Sequence, residues 1–144
     1  MNYGELLSHF LVDLQSIYRK NISIQGASFP QVLTISIIPD DGIEMSMLSN
    51  KIGIDNSTAT RMIAGLEQKG WVYRQPFDHD KRIIKVYLTE LGINIQEKLE
   101  EQIERIGSVI EQEVDPLDRN EMIELVSSLH WILSKLILKG NIIV

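Results

Sequence analysis

The sequence predicts a mainly α-helical fold interrupted by one β-hairpin, and three observations carry that prediction. Apolar residues recur at three- and four-residue steps toward both ends of the chain, the mark of amphipathic helices. Only "WVYRQ" and "IIKVYL", near the middle, alternate in the manner of strands. Just ahead of them, "GID" (Gly53 to Asp55) breaks one helical pattern and opens another within a few residues. With 144 residues, 44% of them hydrophobic and 24% charged, the chain has enough apolar material for one sizeable core and is not a disordered polymer.

Tyr3, Leu6, Leu7, Phe10, Leu11, Leu14, Ile17 and Tyr18 form one stripe on a first helix, and Gly26 marks a break after it. Ser28 is a cap for a second helix with Pro30 in its first turn; its body, "QVLTISII", is apolar on nearly all sides and is expected to be buried up to Pro39. "PDDG" is a turn. A short helix from Ile43 to Ile52 should turn Met47, Leu48 and Ile52 inward. After the glycine break, Asp55 caps a helix that buries Ala59, Met62, Ile63 and Leu66 and ends at Gly70. "PFDHDKR" joins the two strands and reads as a loop too long for a two-residue turn. Thr89 caps a long helix with Leu91, Ile95, Leu99, Ile103, Ile106, Ile110 and Val114 on one side and Glu97, Glu100, Glu101 and Glu104 on the other. Asp115–Pro116 stops it. Asp118 and Glu121 have capping-box spacing for a last helix, whose apolar residues, Met122 to Ile137, wrap more than one face.

Composition narrows the function. Having no cysteine, the chain has no disulfide, thiolate metal site or cysteine redox sensor. Its first residues have no basic leader or small-residue cleavage site, and no uncharged apolar run reaches membrane-spanning length, so a cytoplasmic protein is expected, with no membrane partner. Net charge is −6, but the acidity belongs to the flanks: Ile43 to Gly92 carries seven cations and six anions, and the remainder seven cations and 14 anions. A middle of +1 tolerates phosphate without attracting it strongly.

A short helix, a glycine-containing break and a second helix form a helix-turn-helix, in which the start of the second helix reaches base edges and phosphates in the major groove. Asn56, Ser57, Thr58 and Thr60 are short and polar, letting backbone and DNA approach closely, and Arg61 is the one long cation beside them. Polar residues at a helix start are usually only caps, yet one cap accounts for Asp55 and leaves four more polar residues to explain. The charged tip "DHDKR" makes the hairpin a wing. Asp80 could pair with Arg82 or Lys81 to stiffen it, leaving a cation for an adjacent minor groove. Taken alone, such a tip is as readily a solvated loop.

From Ile43 to Gly92 the chain resembles the core of the MarR-type winged helix-turn-helix regulators without a gap. The matching pieces are "LSNKIGIDNSTATR", "LEQKGWV", "DHDKR" and "LTELG". The resemblance implies a two-stranded β wing and a homodimer whose N- and C-terminal dimerisation helices interleave, leaving two lobes to straddle a pseudo-palindrome on double-stranded DNA. On that pattern residues 1–26 are the N-terminal dimerisation helix, 27–92 the winged DNA-binding lobe and 93–144 the C-terminal dimerisation helices. Ser57, Thr58, Thr60 and Arg61 match recognition-helix positions, Arg82 the wing arginine, Lys81 a phosphate contact and Asp80 the internal brace. Glu44 stands where the family has a capping Thr or Ser, and Gly65 sits inside the recognition helix at a cost of roughly 1 kcal/mol relative to Ala. His79 matches no role.

The function this implies is a transcriptional regulator, a repressor relieved by a small aromatic or anionic effector. Phe10, Tyr18, Phe29 and Trp131 are the aromatic candidates at the junction where such an effector sits, but aromatic residues at helical spacing are far more often plain core. No effector, cofactor, metal or catalytic residue is assigned. His9, His79 and His130 are scattered, and no nucleophile motif or glycine-rich phosphate loop is present. The rival reading is a winged-helix dimer that binds protein instead of DNA; the net charge favours it, and salt dependence separates the two.

Overall fold

The computed structural model describes residues 1–140 and 142–143. Helix α1 (Tyr3–Asn21) starts where the Asn2 side chain accepts from the Glu5 amide at 2.9 Å. Its apolar stripe is there, but none of its residues is buried; Tyr3 and Leu11 remain 84% and 58% exposed. Helix α2 (Phe29–Ile37) opens with a full capping box. The Ser28 hydroxyl accepts from the Gln31 amide, and the Gln31 side chain accepts from the Ser28 amide. Pro30 fits because first-turn amides have no partner within the helix. Val32, Thr34 and Ile35 are buried and Leu33 faces out, so the expected burial holds except along one edge.

Two residues, Ile43–Glu44, form strand β1, and helix α3 (Met45–Ile52) begins after them, two residues later than the pattern suggests. Strand β1 pairs antiparallel with β3 (Asp80–Leu88), which pairs with β2 (Val72–Phe77). The sheet therefore has three strands in the order β1-β3-β2, one more than expected. A two-residue strand has no alternation to read; its partner some 40 residues later in the chain defines it, through Ile43 opposite Val86. Met47, expected inward, is 53% exposed while Leu48 is fully buried. Adjacent helical positions are about 100° apart, and Leu48 occupies the core direction.

Gly53 ends α3 in the left-handed region at φ 80°, and Asp55 starts α4 (Asn56–Gln68). Ala59, Ile63 and Leu66 are buried and Met62 half-buried. Gly65 leaves the helix unbroken. Strand β2 extends to Phe77 and β3 begins at Asp80, so Asp78 and His79 alone connect them. The expected long loop is absent: its residues extend the strands, whose pairing depends on backbone groups. The slip in register falls between Pro76 and Phe77, beside a residue with no amide to give the ladder.

Thr89 caps α5 (Glu90–Glu113) by accepting from the Gly92 amide at 3.0 Å. The long apolar stripe divides: Leu99 and Ile106 are buried, while Leu91 and Ile110 are exposed. The buried side also holds Gln96, whose amide donates to the carbonyls of Ile35 and Ile38 at 2.9 and 2.8 Å, tying α5 to the end of α2. The capping box expected for α6 (Arg119–Lys139) does not form. Asp118 has helical backbone angles and makes no side-chain cap bond. Arg119 Nε instead donates to the carbonyls of Glu111 and Val114, closing the α5–α6 corner.

The core lies inside the lobe, where Ile35, Ile38, Leu48, Ile63, Leu66, Val86 and Leu99 are at most 1% exposed and Trp71 packs beside them. Like α1, α6 buries no residue. Among the described residues, no helix is long and apolar enough to cross a membrane.

Candidate nucleic-acid interface

The Asp55 carboxylate accepts from the Thr58 amide at 2.7 Å. That bond, the Thr58 hydroxyl and then the Arg61 charge hold its carboxyl below the usual value. With the start of α4 fixed and Ala59 in the core, Asn56, Ser57, Thr60 and Arg61 fall on the exposed side, and Thr58 is half-buried between. Their polar groups are not equally available. Asn56 Oδ1 accepts from Ser49 Oγ of α3 at 2.7 Å, which joins the two helices and leaves the amide NH₂ as a donor. The Thr60 hydroxyl donates to the Asn56 carbonyl at 2.8 Å, so only its lone pairs remain free to accept. Arg61 Nη2 reaches the Thr58 hydroxyl at 3.4 Å, a long contact that leaves most of its donors open. Among the described residues, the Ser57 hydroxyl makes no such tie.

At the wing, Arg82 and Asp80 form a two-pronged pair. Nε donates to Oδ1 at 3.0 Å and Nη2 to Oδ2 at 2.9 Å, and the Arg82 amide adds a third bond to Oδ1. Asp80 is held below the usual carboxylate value by the Arg82 guanidinium and amide, and Arg82 is raised in turn. The arginine side chain is nonetheless 90% exposed, oriented but not covered. Lys81 is exposed and has no ionic partner among the described residues. His79, without a role in the sequence, meets the Phe77 ring edge-on at 5.6 Å between centroids.

The cations of the middle segment are unequal too. Arg74 is paired with Glu67 of α4 at 2.6 Å, and Lys69 lies over the Trp71 ring. Lys85 donates to the Asp41 carbonyl and lies over Phe77 and Tyr87. Those left facing solvent include Arg61, Lys81 and Arg82, which occupy the two tips. A cavity of about 300 Å³ runs between helix and wing, lined by Glu44, Met45, Ser46, Asn56, Arg82, Ile83 and Ile84. It brings Asn56 of the helix and Arg82 of the wing to one groove. Glu44 and Ser46 line it as well, and neither is among the site residues expected from sequence. Their sequence signal is their place at the start of the first helix of the helix-turn-helix, where Glu44 stands in for the capping Thr or Ser of the family the chain resembles.

None of the aromatic candidates is buried. Phe29 lines a small cavity with Arg19, whose guanidinium lies 4.3 Å from the ring centroid. Phe10 and Trp131 are 48% and 63% exposed, and Lys135 covers the Trp131 ring at 4.1 Å.

Residues 31–84 match the model of the MarR family. The chain is 29% identical over 117 residues to the HTH-type transcriptional regulator SarZ of Staphylococcus haemolyticus, covering 81% of this chain and 75% of that protein. It is 31% identical over 94 residues to the transcriptional repressor MprA of Escherichia coli, covering 60% of this chain and 53% of MprA, so it spans only about half of that relative. Among solved structures, a MarR transcriptional regulator from Methanosarcina mazei superposes with a TM-score of 0.78 at 25% identity, over 92% of this chain and 96% of that one. Streptococcus pneumoniae FabT, solved in complex with DNA, superposes with a TM-score of 0.73 at 18% identity, over 94% and 99%, a likeness of fold. Residues 31–84, within the winged lobe, are thus similar to the MarR family, and the fold over most of the chain is similar to that of a solved MarR transcriptional regulator.

Proposed function

We propose that the chain is a DNA-binding regulator that straddles a pseudo-palindromic operator as a homodimer, acting as a repressor released by a small effector. The observation that carries the DNA reading is the exposed polar front of α4, with Asn56, Ser57, Thr60 and Arg61 facing solvent and Thr58 half-buried among them, beside a buried Ala59. The oriented, solvent-facing Arg82 supports it from the wing, as does the DNA complex of FabT. In this reading Arg61 serves a base edge or phosphate, Arg82 an adjacent minor groove, Lys81 a phosphate, and Asp80 braces the wing. The homodimer rests on α1 and α6, two long helices with apolar stripes and no buried residue, which a second copy would cover. The repressor role rests on likeness to MprA, and release by an effector on the resemblance to the MarR-type regulators.

The test is fluorescence anisotropy with DNA from upstream of the chain's own gene and with a scrambled duplex, at several salt concentrations. Tight, salt-sensitive binding to the upstream duplex alone is expected. Failure to bind either duplex at low salt would overturn the DNA reading and bring protein partners forward.

A further inference from the structure

We propose that Glu44 limits DNA affinity: it lines the groove where the start of α3, the recognition helix and the wing meet, and its charge repels any phosphate seated there. This rests on the DNA reading above and identifies a residue that tunes it. Glu44 shares the groove with Asn56 and Arg82, one residue from each of the two elements proposed to grip DNA. It occupies the N-cap position of α3 with extended backbone angles, φ −63° and ψ 141°, yet its side chain caps nothing. The carboxylate of Glu is one methylene too far out for the bond that Ser, Thr or Asp makes there.

Nor does a cation among the described residues neutralise it. Its cross-strand partner is Lys85, but Lys85 Nζ is taken by the Asp41 carbonyl and by the Phe77 and Tyr87 rings. Arg82, on the same groove, gives Nε and Nη2 to Asp80. The half-exposed Glu44 therefore has no ion-pair partner among the described residues at a place where a phosphate would benefit from the amides and dipole of the α3 start. Substituting a neutral group of the same shape removes the repulsion and leaves the groove otherwise as it is.

The experiment compares the full-length wild type, Glu44→Gln and Glu44→Thr on the upstream and scrambled duplexes, by anisotropy across salt concentrations, with thermal melts of each protein. Glu44→Gln should tighten binding to both duplexes about 3- to 10-fold at the lowest salt, the size expected for one charge about 3–6 Å from a phosphate across water. The gain should shrink as salt rises. Glu44→Thr should give the same gain together with a higher melting temperature, because Thr restores the cap. If the wild type binds and both folded variants bind no more tightly, Glu44 is not an affinity-limiting charge and the inference falls while the regulator reading stands. If the wild type binds neither duplex at any salt, the regulator reading fails and takes this one with it.

Discussion

Arg82 and Arg61 are both exposed arginines, but the structure holds them differently, and they should fail differently. Asp80 fixes the direction of Arg82 through three hydrogen bonds, which suits the minor-groove role proposed for it. Arg82→Ala should weaken DNA binding and lower the salt slope by roughly one, with little change in preference among sites of similar groove width. Arg61 projects from the front of α4 with only a long contact to Thr58. Arg61→Ala should cost about 1–3 kcal/mol and change which bases are preferred; an unchanged preference in a panel of operator variants would demote it to a phosphate contact. Asp55 gives a pH prediction. Its carboxyl titrates lower in the folded chain than the ordinary 3.8, so the folded state favours the charged form. The cap's contribution is therefore complete above the ordinary value and lost as pH falls through the depressed one. Urea unfolding should find Asp55→Ala less stable than wild type at neutral pH, with the gap closing in acid below 3.8.

At the scale of elements, legibility in the sequence follows the reach of the interactions. Ser28, Asp55 and Thr89 are readable as caps because each bonds an amide three residues on. Asp118 has the same spacing and does not cap, because the corner there is closed by Arg119 reaching back to Glu111, a contact that no local spacing encodes. Strand β1 and the short hairpin connection escape a reading of the sequence because pairing across the sheet defines them. Gly92 has the pattern of an ordinary early helix residue, yet a Cβ at that position would sit 1.9 Å from the Trp71 carbonyl oxygen. The first turn of α5 lies directly against the chain entering β2, so Gly92→Ala should cost at least about 2 kcal/mol in chemical denaturation, since backbone must shift to admit the methyl. The same contact sets where the wing stands relative to α5.

At the scale of the whole molecule, the core lies in the lobe and along α5 as far as Ile106, while α1 and α6 keep Leu11, Leu125, Trp131 and Leu133 in solvent at 42–63% exposure. In the proposed dimer these residues meet a second copy. Leu133→Glu should then give monomers or insoluble protein by light scattering, and a variant still dimeric would contradict this interface. Periodicity, caps and the glycine break determined from sequence alone the order of helices, the polar face of α4 and the charged tip of the wing. Each depends on residues within about one helical turn of one another, a range over which spacing and direction are coupled. Tertiary structure alone decided that Asn56 and Arg82 share a groove with Glu44, and that Lys85 is withdrawn from it. It also decided that Gln96 is buried between α5 and the end of α2. Those outcomes join segments separated by tens of residues, and only the packed core and the pairing of β1 with β3 bring them together.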